Sequence, residues 1–219
     1  VTSAFGDLRS TVEQVTNTAP PSTPGLLVRD KALEQCHVCL GVSGYPHGHA
    51  DRYICYVLNI VLGGTMSSRL FQNIREKRGL AYAVSSGFVS YRDSGALTIY
   101  AGCDADSVVE VVDLIVAELQ QLRDAPITAA ELTRAKDHLK GSLVLSLEST
   151  SSRMSHLARQ EMYFGQQFTL DDTLRAVERV TVEDVHRVAR ELLVPGAVAA
   201  TVLGPVDGLS LGEEQLALT

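Results

Sequence analysis

Arg75 and Tyr82 could both bond a polarised carbonyl, and they lie seven positions apart across Gly79. A guanidinium and a phenol are both hydrogen-bond donors, fitted to a peptide carbonyl or to the oxyanion that develops from it. The surrounding stretch says how they would be placed. Gly63-Gly64 suits a helix stop and a tight turn, and Thr65, Ser67 and Ser68 can each cap a new helix. Leu70, Phe71 and Ile74 then recur at helical spacing and predict a short helix with that side inward. Gly79 breaks it, and Leu80-Ala81-Tyr82 opens an extended run. Arg75 and Tyr82 thus flank a helix-to-strand corner from which both side chains can reach one cleft. From the residues alone, two ordinary roles stand beside this one: an Arg complementing a helix C-terminus, and a Tyr half-buried at a strand start.

Other residue groups carry less chemistry. Cys36 and Cys39 form a C-x-x-C pair, the spacing of a redox couple or of half a zinc site. The pair falls in a strand-like run, where residues three apart face opposite sides, and no second C-x-x-C completes a tetrahedral set. Together with Cys55 and Cys103 they read as small buried thiols of a reducing compartment. His47-Gly48-His49, with Asp51 nearby, is the one close histidine pair, in a turn before a helix, and suits at most a surface metal contact. His138, His156 and His186 fall on separate helices. The Gly63-Gly64 turn lacks the lysine of a phosphate-binding loop, so it reads as a plain junction. Spacing supports no Ser-His-Asp or Cys-His arrangement.

The elements that must position the corner follow from periodicity. Residues 33–42 alternate, with Cys36, Val38, Leu40 and Val42 on one side, as a strand with one face on a core. Ile54, Val57, Leu58, Val61 and Leu62 make one face of a helix over residues 50–62. Strands over 81–91 and 96–103 are joined by Arg92-Asp93-Ser94-Gly95, a hairpin signal. Helices follow over 107–122, then from a Thr128/Glu131 capping box to about Leu147, over 151–164 to Gly165, over 169–177, and from Thr181 to Leu192. A last strand spans 197–203, and residues 206–219 show no pattern and are expected to be a loose tail. Strands and helices in separate runs predict an α+β fold, a mixed, largely antiparallel sheet with helices packed on one face.

The chain has 219 residues, of which 45% are hydrophobic, enough for one large core. A formal charge of −7 argues against nucleic acid or an anionic membrane as the main partner, and no apolar run is long enough to span a bilayer. With its thiols, the chain is expected to be cytoplasmic. It begins at Val1 rather than Met, so residues are expected to precede it.

The run Met66-Ser-Ser-Arg-Leu-Phe-Gln72, followed by Arg75-Glu-Lys-Arg-Gly-Leu-Ala-Tyr82, resembles the C-terminal half-domain of the insulinase (pitrilysin) family of zinc metallopeptidases. The similarity extends from about Phe5 to Pro205 and is greatest to the branch that includes the mitochondrial processing peptidase. In that family an Arg and a Tyr spaced as Arg75 and Tyr82 reach across a closed active site to the substrate, so the resemblance implies that this pair is catalytic. It also implies that Phe5-Gly-Asp-Leu8 ends a preceding catalytic domain. The Pro-rich run with Pro20, Pro21 and Pro24 would then be the interdomain linker. The division expected is residues 1–30 for that end and linker, 31–205 for the domain and 206–219 for the tail. The family's His-x-x-Glu-His motif is missing from this sequence, so zinc would belong to the full-length protein, with its ligands on the preceding half.

The resemblance therefore implies the substrate-binding half of a zinc-dependent metalloendopeptidase, inactive by itself. Its partners would be an N-terminal catalytic half-domain and an unfolded or short peptide, with a homodimer also compatible. The alternative is a non-catalytic binding or scaffold subunit of the same family. The short Gly63-Gly64 stretch, unlike the longer glycine-rich loop of the non-catalytic processing-peptidase subunit, favours the catalytic type. A reading that needs no family is an acidic α+β domain that pairs with another through its sheet edge or hairpin.

Overall fold

The computed structural model describes residues 19–219. Five strands form one sheet: β1 (Gly25–Asp30), β2 (Cys36–Gly44), β3 (Ala81–Ser90), β4 (Gly95–Cys103) and β5 (Ala199–Gly204). Their order across the sheet is β1-β5-β2-β4-β3. β1 runs parallel to β5, and every other neighbouring pair is antiparallel. Among the described residues there are also six α-helices: α1 (Arg52–Leu62), α2 (Val108–Asp124), α3 (Ala129–Ser146), α4 (Thr150–Phe164), α5 (Leu170–Glu178) and α6 (Val182–Leu192). None of the described helices is long and apolar enough to cross a membrane.

Alternation decides which side of the sheet is covered. Cys36, Val38, Leu40 and Val42 of β2 are buried with Leu97, Ile99 and Ala101 of β4 and Ala200 and Val202 of β5. Against them pack the buried faces of α1, α2 and α6, including Val57, Leu58, Ile115, Leu119, Val185 and Val188. On the opposite side Cys39, Ser85, Thr98 and Thr201 are exposed, so the helices occupy one face and leave the other open. Three helices start with the chemistry their sequences announce: Thr128/Glu131, Thr169/Asp172 and Thr181/Asp184 each close a reciprocal capping box. Gly165 ends α4 in the left-handed region, at φ 62°.

Several expectations change. The Phe5–Leu8 reading lies outside the described residues. A strand absent from the sequence reading, Gly25–Asp30, follows the Pro-rich run and adds to the sheet as β1. This edge strand leaves Leu27 and Val28 largely exposed, so it has no alternating signal to find. The tail is not loose. Val206, Leu216 and Leu218 are buried, and Val206 N–H donates to Asp30 Oδ1 at 3.0 Å. Gln120 Nε2 donates to the Ala217 carbonyl (3.1 Å) and Arg123 to the Leu218 and Thr219 carbonyls (2.5 and 2.8 Å), strapping the tail over α2. Of the four thiols, Cys36, Cys55 and Cys103 are buried, but Cys39 is exposed on the open face, as strand alternation requires. Burial pushes the Cys55 thiol up to about 12 and that of Cys103 to about 11.

Candidate functional site

The corner between α1 and β3 is built by close backbone approach. At the end of α1 the Gly63 carbonyl accepts from Ser86 N–H of β3 at 3.1 Å, and Ser86 Oγ donates to Asn59 Oδ1 at 2.7 Å. A Cβ on Gly63 would lie 2.6 Å from Ser86 N, so only glycine lets the two backbones meet. The hydroxyls that follow do not cap a helix as expected. Ser68 Oγ donates to the Thr65 carbonyl at 2.5 Å and is used within the turn.

From Leu70 the chain continues as a helix, but Phe71–Glu76 is π-helical, with Lys77 N–H reaching back five residues to the Gln72 carbonyl at 3.0 Å. Single π turns occur often at functional sites, and the periodicity of so short a run does not distinguish them from α turns. Leu70 and Ile74 are fully buried. Two polar anchors fix the segment from outside. Arg69 grips Glu131 with Nε and Nη2 at 2.7 and 3.1 Å, tying the turn to the start of α3. Burial works against the Glu131 charge, but the bonds from Arg69 and Thr128 outweigh it and hold the carboxyl at about 2. The second anchor is Asn73, whose amide donates to the buried Glu118 of α2 and whose oxygen accepts from Lys77 Nζ at 2.9 Å.

Arg75 and Tyr82 are brought together on this frame. The Arg75 guanidinium lies 4.8 Å from the Phe71 ring centre and 5.4 Å from that of Tyr82, between two aromatic faces. Among the described residues it makes no hydrogen bond or ion pair. Tyr82 is 80% exposed and its hydroxyl bonds nothing among the described residues. The strand register explains that exposure. Ala81 pairs with Cys103 and Ala83 with Gly102, which leaves Tyr82 as the extra residue of a bulge. A bulge re-aims one side chain out of the pleat. β3 is also one of the two outer strands of the described sheet. The corner therefore offers two unused donor groups beside a free strand edge, which is chemistry for binding a carbonyl.

The remaining candidates do not join it. His47 packs on Tyr163 (ring centres 4.3 Å apart), while His49 stacks on Tyr45 (3.8 Å). Asp51 is held by a bidentate Arg187 at 2.9 and 3.0 Å. Among the described residues no three His, Cys, Asp or Glu side chains converge on one point, so the residues present do not form a zinc site.

Comparison with known proteins agrees with the architecture. The profile of the family described as "Peptidase M16 inactive domain" matches residues 1–139. A Bacillus subtilis protein named uncharacterized zinc protease YmxG is 45% identical over 176 residues, covering 80% of this chain and 43% of that protein. The Mycobacterium tuberculosis protein named uncharacterized zinc protease Rv2782c is 44% identical over 183 residues, covering 84% and 42%. This chain thus spans less than half the length of these relatives. Among solved structures, a peptidase M16 inactive domain from Pseudomonas fluorescens superposes with a TM-score of 0.78 at 26% identity, over 85% of this chain and 45% of that one. A protease from Helicobacter pylori superposes with a TM-score of 0.77 at 25% identity, over 92% and 50%. With sequence and fold in agreement, this chain belongs to the peptidase M16 family and is its inactive, C-terminal domain.

Proposed function

We propose that this chain is the substrate-binding half of a zinc-dependent metalloendopeptidase that cleaves unfolded or short peptides in a closed chamber. Zinc and its ligands belong, on this reading, to an N-terminal half outside this sequence. Arg75 binds a substrate carbonyl, and Tyr82 donates its hydroxyl proton to the scissile carbonyl oxygen as negative charge develops there. The free edge of β3 gives an extended peptide backbone partners beside this corner. Enclosure of the site excludes folded proteins. One observation carries the reading: a guanidinium and a phenol without bonding partners among the described residues, held 5.4 Å apart at an exposed corner of a domain whose relatives are named zinc proteases.

The test is hydrolysis of a quenched, unstructured peptide by this chain alone, by the zinc-bearing half alone, and by the two together, with and without a chelator. Activity only in the combination, abolished by chelator and lowered by substitution of Arg75 or Tyr82, is the expected result. A folded complex of both halves that cuts nothing would overturn it in favour of a binding or scaffold role.

A further inference from the structure

A cavity in the helix layer shares no lining residue with the Arg75–Tyr82 corner. It measures about 360 Å³ and opens between the first turn of α1, the C-terminal half of α3, and α4. Leu139, Leu143, Phe164 and Phe168 give it apolar walls. The wall at Phe168 is fixed by Gln160, a 5% exposed residue that accepts from Phe168 N–H at 2.8 Å and donates to its carbonyl at 3.4 Å.

The polar groups facing this space include two guanidiniums, Arg52 and Arg159, beside His47, while Gln160, His156 and Thr173 are already hydrogen-bonded. The Arg52 guanidinium sits among three rings, 4.5 Å from the centre of Tyr53, 4.9 Å from Phe164 and 5.3 Å from Phe168. Its one hydrogen bond among the described residues is a long 3.4 Å contact to the Tyr53 hydroxyl. A guanidinium carries five N–H donors, so most of those on Arg52 are unused. Arg159, at the mouth, makes no hydrogen bond or ion pair among the described residues. His47 Nδ1 is buried without a partner. Burial, then the nearby charges of Arg159 and Arg52, hold the His47 imidazole below its ordinary range. No Asp or Glu lines the cavity, in a chain with 26 acidic and 19 basic residues. An apolar occupant would leave the Arg52 guanidinium with only its ring contacts and the long Tyr53 bond, and a bare inorganic anion would leave the walls unfilled. The volume is that of a small ligand, near the lower end of the roughly 300–1,000 Å³ usual for such sites.

We propose that this cavity binds a small carboxylate carried on an aromatic or branched apolar body. Arg52 and Arg159 take the carboxylate. Leu139, Leu143, Phe164 and Phe168 hold the body. A free organic acid and the C-terminal residue of a short peptide present the same chemistry.

The test is titration calorimetry on the full chain with 4-phenylbutyrate, with an N-acetylated dipeptide ending in Phe, and with the same dipeptide as its C-terminal amide. Saturable binding of at least one carboxylate is expected, with the amide weaker by about tenfold or more. Whichever carboxylate binds identifies the source. Arg159→Gln, at the solvent-facing mouth, should weaken binding about tenfold without unfolding the chain. Leu143→Trp, which fills the cavity and removes no charge, should abolish binding. The proposal is overturned if neither carboxylate saturates by roughly 10 mM, if the amide binds as well as the acid, or if both variants bind like the parent. None of these readouts involves peptide hydrolysis, so failure here leaves the peptidase assignment where it stands.

Discussion

Tyr82→Phe removes one oxygen atom and separates the hydroxyl of Tyr82 from its ring. The ring that flanks Arg75 at 5.4 Å stays, and so does the bulge, which belongs to the backbone. The side chain is 80% exposed and its hydroxyl bonds nothing among the described residues, so stability should change by less than about 0.5 kcal/mol. Catalysis should change far more. A donor aimed at a developing oxyanion contributes about 2.7–4 kcal/mol, which lowers kcat by ~10²–10³ on removal. A contact made only in the transition state lowers kcat and kcat/KM together and leaves KM nearly unmoved. The assay is steady-state cleavage of a quenched peptide by the complex of both halves, with a melting curve on the same preparation. A variant that folds normally and keeps kcat within about twofold of the parent would remove Tyr82 from the mechanism. A raised KM at unchanged kcat would make the hydroxyl a ground-state binding group instead.

Phe71→Leu keeps an apolar side chain but deletes a face that holds Arg75, and should lower kcat/KM about threefold to tenfold, with Phe71→Tyr close to the parent. Equal activity in Phe71→Leu would show that Tyr82 alone places the guanidinium. Glu131 has its folded pKa held at about 2, below the ordinary 4.5, so its stabilising contribution is complete above about 4.5 and drains away as pH falls toward 2. Glu131→Gln should cost about 1–2 kcal/mol near neutrality and flatten the acid limb of a stability–pH curve, and a curve of unchanged slope would refute the Arg69 anchor. Leu218→Ala should cost about 2 kcal/mol in denaturant unfolding, because the side chain is fully buried, whereas a loose tail would leave stability unchanged.

The sheet and helices were legible because their signals are periodic. Val38, Leu40 and Val42 alternate, Ile54, Val57, Leu58 and Val61 recur at helical spacing, and all are buried where those periods place them. The capping boxes at Thr128 and Thr181 rest on local chemistry and needed no tertiary context. What escaped is what tertiary packing alone decides. β1 gains its place from hydrogen bonds to β5 rather than from a buried face. Leu216 and Leu218 are isolated apolar residues that become core only because α2 offers Gln120 and Arg123 to hold the chain there. At the candidate site, the spacing of Arg75 and Tyr82 was visible, but the devices that aim them were not. A π turn and a one-residue bulge each depend on register against neighbouring segments, and register is not written in either segment alone. The cavity around Arg52 was hidden for the same reason, since its walls come from four separate stretches of sequence.

The strand order has a kinetic consequence. β1 and β2 are adjacent in the sequence, yet β5, made last, lies between them. As the chain emerges during synthesis, β2, β4 and β3 can pair early, while β1 has no strand to pair with until β5 arrives. The sheet then closes when its latest strand pairs with both β2 and β1, after the six described helices have been made. Contacts so distant in sequence close slowly, and until they do the β5-facing edge of β2 is unpaired. Newly made chains therefore carry an open β2 edge, available for edge-to-edge association, until Ala199–Gly204 arrives to pair with it.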